Sequence, residues 1–248
     1  MKFGRKPARR DPRNLQLRAL RQLKALPPLP PSYHFDTDHP SPPIPTPTFG
    51  NDRWGDCVLA ARAHATLRFE RVEQDALIPI ADAEVLAQWR IENGGTDEGL
   101  FMLDSLKLWR SKGWTAAGRP YRCAAFAEID PCNTGDVQAG IALFGSIQGG
   151  FDLPLAVTQN CYATAPWDLV LGPLGATDPE GGHAMAVVGY DELGLDLITW
   201  GRRQRCTWAW FECYCSELYA VVDALDPWRA IPGIDVPLLE DYLRQVTA

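Results

Sequence analysis

No apolar run in the 248-residue chain approaches the length of a membrane span, so a spanning helix is not an organising feature. The basic N-terminal stretch lacks the apolar middle region of a secretory signal. Among seven cysteines there is no C-x-x-C pair, and Cys213-x-Cys215 is poor spacing for a closed tetrahedral metal site. No metal or other cofactor is expected. Neither Gly94-Gly95 nor Gly149-Gly150 is followed by Lys-Ser/Thr, which argues against phosphate loops. Histidine is scarce, with four residues, so candidates for a general base are few. These absences make a cytoplasmic globular protein the default expectation, its cysteines mostly reduced and buried. Packaging into a virion is the alternative location.

What is present is an uneven distribution of charge. The net charge of −7 divides into about +8 over residues 1–24 and about −15 over the rest. Such an arm suits an acidic protein surface, either an assembly partner or the chain's own acidic body. Nucleic acid is the weaker partner, because only Phe3 interleaves with the arm's charges and base stacking has little support. Residues 14–26 read as a short amphipathic helix. Residues 27–48 hold nine prolines and read as a stiff surface connector carrying His34 and His39. Because residues 1–48 are short and lack a multi-helix pattern, they are not expected to be an inhibitory leader.

From residue 49 onward, helical patterns come first: Cys57 to about Glu73, 81–92, 98–112 ended by Gly113, and one following Thr134 and Asp136. Asp56 stands where it can cap the first of these. Short β-rich runs follow ("FDLPLAV", "HAMAVVGY", "LDLITW", "LYAVVDAL"), with a helical piece near 208–217 and a tail helix at the C-terminus. Helices first and strands later give an α+β protein with two packed lobes. The helical lobe is expected at about 49–130 and the β-rich lobe at about 131–225.

Two residues carry most of the chemistry. Cys57 begins a helix in "GNDRWGDCVLAA", where the positive end of the helix favours a thiolate. The adjacent Asp56 opposes it. His183, in "GGHAMAVVGYD", is delivered by two glycines onto the first residue of an apolar strand. His64 lies seven residues after Cys57, about 10 Å along the helix axis, and is out of reach. Taken alone, each of these residues reads first as structural, a buried cysteine and a core histidine bonded to backbone. Trp54 is equally readily a packed aromatic or part of a substrate groove.

Taken together, the helix-start cysteine, the downstream G-H-A with V-V-G-Y-D, and the strand ending Trp200-Gly201 resemble the papain-like cysteine peptidases. The resemblance spans about residues 45–223 and extends to similar uncharacterised phage and prophage sequences. It implies a papain-like two-lobed fold with a helical left lobe and an antiparallel β-barrel-like right lobe. It also implies a Cys57–His183 dyad acting on a peptide or isopeptide bond, with Asn51, six residues before the cysteine, supplying an oxyanion donor where the family has glutamine. The family's orienting asparagine stands two residues before the tryptophan, and here that position is Ile198, which accepts no hydrogen bond. Thr199 beside it is expected on the opposite face, so either a backbone carbonyl orients His183 or the pair is poorly organised. Ile198 motivates the alternative reading: a papain-fold protein weakened or retired from catalysis that serves in an assembly such as a phage particle.

Overall fold

A computed structural model describes residues 2–22 and 28–223. The expected tail helix, and residues 23–26 of the expected N-terminal helix, lie outside the described residues. The chain opens with β1 (Leu15–Gln16), α1 (Leu17–Gln22), β2 (Tyr33–His34) and α2 (Phe35–Asp38). Three longer helices follow, α3 (Cys57–Gln74), α4 (Asp82–Glu92) and α5 (Met102–Ser111), then β3 (Trp114–Ala116), β4 (Arg119–Tyr121) and β5 (Cys123–Glu128). The remainder comprises α6 (Thr134–Phe144), β6 (Ile147–Pro154), α7 (Leu155–Thr158), β7 (Thr177–Tyr190), β8 (Gly194–Thr199), β9 (Arg202–Thr207), α8 (Trp208–Tyr214) and β10 (Cys215–Asp223).

Helices and sheet form separate cores. One apolar cluster joins α3, α4 and α5 through Leu59, Leu67, Val85, Trp89, Leu106 and Trp109. The other lies between the sheet and α6 and α8, around Val137, Ile141, Phe151, Val187, Trp210 and Leu218. The sheet runs β1-β5-β10-β6-β7-β8-β9, with β2 on the far end of β7. Its pairs are antiparallel apart from β1 against β5. Helix α6 sits against this sheet, capped by the Asn133 side chain accepting the Asp136 N–H at 3.2 Å. It ends at Gly145, whose φ of 72° favours glycine.

Helix α3 packs on β7, and its Ala60, Ala61, Ala63 and Ala65 are buried. Small side chains let the helix and strand backbones approach closely. Its charged residues are buried too, but paired: Arg62 Nη1 donates to Glu92 at 2.7 Å and Arg68 Nη2 to Asp36 at 2.8 Å. A buried ion pair resists removal of either partner, and the second pair draws in the proline-rich segment. That segment is not a plain surface connector. Its Phe35 is buried, β2 pairs with the end of β7, and Asp36 also receives Arg203. His34 and His39 are half-buried rather than simple surface histidines: Nδ1 of His34 meets Asp196 at 2.7 Å and His39 stacks on Phe35. Among the described residues, no helix is long and apolar enough to cross a membrane.

Candidate active site

The turn 50–55 folds on itself through the Trp54 N–H donating to the Gly50 carbonyl at 3.0 Å, and delivers Cys57 to the first turn of α3. The carbonyl of Asp56 starts the helix by accepting from Leu59 and Ala60. Its side chain does not cap, contrary to expectation. It accepts instead from the Asn51 amide at 3.2 Å. Burial pushes the Asp56 carboxyl up to about 7, so at neutral pH a substantial share is uncharged and the opposition to a thiolate is weakened. Asn51, six residues before Cys57, is buried, with one amide N–H committed to Asp56.

Cys57 is wholly buried. The backbone amides of Ala184, the residue after His183, and of Gly4 act on the thiol against that burial and favour its charged form. Helix α3 packs on β7, the strand that carries His183. The thiol and the histidine are not hydrogen-bonded to each other: His183 Nδ1 is buried without a partner. Its Nε2 lies 2.7 Å from the Thr199 hydroxyl. The ring stacks on Trp200 at 4.6 Å between centroids, and Phe3 meets its edge at 5.9 Å.

Thr199 corrects the sequence reading. In the β7–β8 register Ala186 faces Ile198, so Thr199 shares the face of Met185 and His183. Ile198 points the other way, into a small cluster with Ala186 and Val188. The hydroxyl, not a backbone carbonyl, is the ring's partner. Trp200 has a left-handed backbone (φ 46°), unusual for an aromatic residue, at the turn where the strand ends.

The arm takes the chain's own acidic body, one of its two expected partners. Residues 3–6 lie between β7 at Gly182, the segment at Leu100 and the turn at Gly55. The Arg5 N–H donates to the Gly182 carbonyl at 3.0 Å, the Lys6 N–H to the Leu100 carbonyl at 2.8 Å, and the Leu100 N–H to the Gly4 carbonyl at 2.8 Å. Gly4 is tightly enclosed: a Cβ there would stand 1.8 Å from the Gly55 carbonyl oxygen. The arm's charges meet acids at the start of α5 and just before it, Lys2 with Asp97, Lys6 with Glu98 at 2.6 Å, and Arg9 with Asp104. Exposed pairs of this kind contribute little each. The backbone contacts and the buried Arg5 hold the segment. The excess of positive charge in the arm over an acidic body was the signal of it in the sequence.

Under this cover both groups are neutral. Burial pushes the Cys57 thiol up to about 11. Burial, then the nearby Arg5 charge, brings His183 down to about 3. His64 is brought down to about 3 in the same way and packs on Phe49, far from any thiol contact. All seven cysteines are free, Cys132 and Cys213 on the surface and the others buried.

The sequence matches no family model and no curated protein. Solved structures do match. Xylellain, a cysteine protease from Xylella fastidiosa, aligns at TM-score 0.65 and 18% identity over 89% of this chain and 95% of its own. The fold is papain-like. Procathepsin B S9 from Trypanosoma congolense aligns at TM-score 0.61 and 14% identity, covering 90% and 86% of the two chains. The Carica candamarcensis cysteine protease CMS1MS2, solved with E-64, aligns at 0.58 and 16%, covering 78% and 99%.

Proposed function

We propose that this chain is a papain-type cysteine peptidase with Cys57 as nucleophile and His183 as general base, held latent by residues 3–6. The carrying observation is that an extended polypeptide already lies across the thiol, bound through its backbone to Gly182 and Leu100. The cleft is thus a peptide-binding groove with a helix-start cysteine at its floor. Among the structural neighbours of this fold, xylellain and CMS1MS2 are cysteine proteases by name, which supports the same reading.

The chemistry follows from the tautomer. With Nε2–H donated to Thr199, Nδ1 presents a lone pair toward the cleft. Once the arm leaves, Nδ1 takes the thiol proton and the sulfur attacks the substrate carbonyl carbon. The Cys57 backbone N–H, freed at the helix N-terminus, stabilises the oxyanion, with Asn51 as a second donor once its amide turns from Asp56. His183 then protonates the departing amine, and water hydrolyses the thioester. The arm's Gly4 amide acts on the thiol, while the Gly4 carbonyl is held by Leu100. That arrangement is non-productive, so the arm covers the nucleophile without presenting Gly4 for attack.

A second reading, a papain-fold assembly component such as a phage particle would use, draws on the same sealed cleft. Gly4→Leu separates the two, because its side chain has no room beside Gly55 and must displace the arm. The expected result is hydrolysis of fluorogenic peptides, roughly 100-fold above the unmodified chain, and an E-64 adduct on Cys57, both lost with Cys57→Ala. A folded Gly4→Leu protein that neither hydrolyses peptides nor takes E-64 overturns the peptidase reading.

A further inference from the structure

Arg5 differs from every other basic residue described in the arm. Lys2, Lys6 and Arg9 reach exposed acids at the rim, whereas the Arg5 side chain is fully enclosed. Its Nη1 donates to Glu217 Oε1 at 2.8 Å and its Nη2 to Asp152. Glu217 is itself buried, and its other oxygen accepts from the Tyr219 hydroxyl at 3.2 Å, which fixes the carboxylate toward the cleft. Asp152 stands half-exposed on the neighbouring strand, and Asp178 and Glu180 line the groove alongside.

The housing is shaped for a long stem. Glu217 of β10 pairs with Gly150 of β6, and a Cβ on Gly150 would come within 2.7 Å of Arg5 Cδ and 2.6 Å of Glu217 Cγ. Only glycine leaves that channel open. The next residue on β6, Phe151, pairs with His183. The pocket therefore opens one residue from Gly4, the arm position whose amide acts on the Cys57 thiol.

Two recognition elements are thus separable. Gly182 and Leu100 bind any extended backbone, whereas Glu217 and Asp152 select a side chain. With Arg5 gone, two carboxylates face one vacated channel, a charge arrangement that a guanidinium satisfies and a neutral side chain does not. We propose that the Glu217–Asp152 pocket is the side-chain specificity pocket of the cleft, that it selects arginine-bearing peptides, and that Arg5 fills it as a pseudosubstrate. This rests on the peptidase reading above.

Full-length Arg5→Ala, compared with Arg5→Ala/Glu217→Gln, tests it with two readouts. The first is hydrolysis of peptides carrying arginine or its neutral isostere citrulline at each position near the scissile bond. Arginine is expected to raise kcat/KM roughly 10- to 100-fold at one position, falling to roughly threefold or less with Glu217→Gln. The second readout is calorimetric binding of agmatine, which needs no catalysis and should be lost with Glu217→Gln. Hydrolysis without arginine preference, together with no agmatine binding, overturns the pocket and leaves the peptidase standing. Agmatine binding that depends on Glu217, with no hydrolysis of any peptide, upholds guanidinium selection and overturns the peptidase. Failure of both readouts overturns both. Gly4→Leu, which displaces the arm by another route, replaces Arg5→Ala if that variant does not fold.

Discussion

His64 and His183 make an instructive pair. Both are fully buried, both have an Nδ1 without a partner, and burial brings both down to about 3. They differ in what does the burying. His64 is enclosed by its own helix, by Phe49 and by the proline-rich segment near Pro47. His183 is enclosed by Trp200 and by Phe3, which belongs to an arm held largely by a few backbone bonds and one buried guanidinium. A perturbed histidine is therefore not a site by virtue of its pKa alone. What distinguishes His183 is that part of its cover, Phe3, comes from the N-terminal arm.

The comparison breaks most visibly in catalysis. In the Gly4→Leu background, His183→Ala should lower peptide kcat/KM roughly 1,000-fold. His64→Phe should leave it within roughly threefold, although the folded state is destabilised. Equal losses from both substitutions would remove the distinction. Next in size is the Thr199 hydroxyl: Thr199→Val should lower kcat roughly 10- to 100-fold by releasing the ring from its productive orientation, and Thr199→Ser should restore most of it. Steady-state kinetics with a melting curve separates orientation from loss of fold.

A smaller but sharper effect is expected in the histidine titrations, followed by NMR. His64 should titrate near 3 with or without the arm. His183 should move from near 3 toward its ordinary value when Gly4→Leu opens the site. The smallest effect is on stability. Both histidines are held neutral in the folded state and protonate below about 6.5 once unfolded, so they withdraw stability as pH falls from about 6.5 toward 3. Opening the arm should make that acid-side slope shallower in urea titrations, because only the contribution of His183 is relieved. Asp56 acts with the opposite sign. Its carboxyl, raised to about 7, favours the folded state most below its ordinary 3.8 and loses that contribution as pH rises through 7.

The parts of this arrangement that were legible in sequence are those fixed by local rules. The start of α3 at Cys57 followed from a turn meeting an alanine-rich helix, and the placement of His183 on a strand followed from Gly181-Gly182 before an apolar run. Thr199 was misread because counting back from Trp200 carried over a family position, whereas the β7–β8 register decides which side chain faces the histidine. The polar β9 "RRQRCT" did not read as a strand because it is the end strand of the sheet order and only part of it is buried. The path of the arm was illegible for a different reason. The arm binds as a few extended residues through backbone groups, which leave no periodicity, and its one specific side chain meets Glu217 only because β10 pairs with β6.

The most direct test of a masked Cys57–His183 pair is the rate of Cys57 alkylation by iodoacetamide between pH 4 and 8, read by mass spectrometry. The unmodified chain should react roughly 100-fold more slowly than a free thiol, as its raised pKa dictates. Gly4→Leu should react readily below pH 7, and that acid-side reactivity should vanish with His183→Ala. Reactivity in Gly4→Leu that follows an ordinary thiol, unchanged by His183→Ala, would contradict the account.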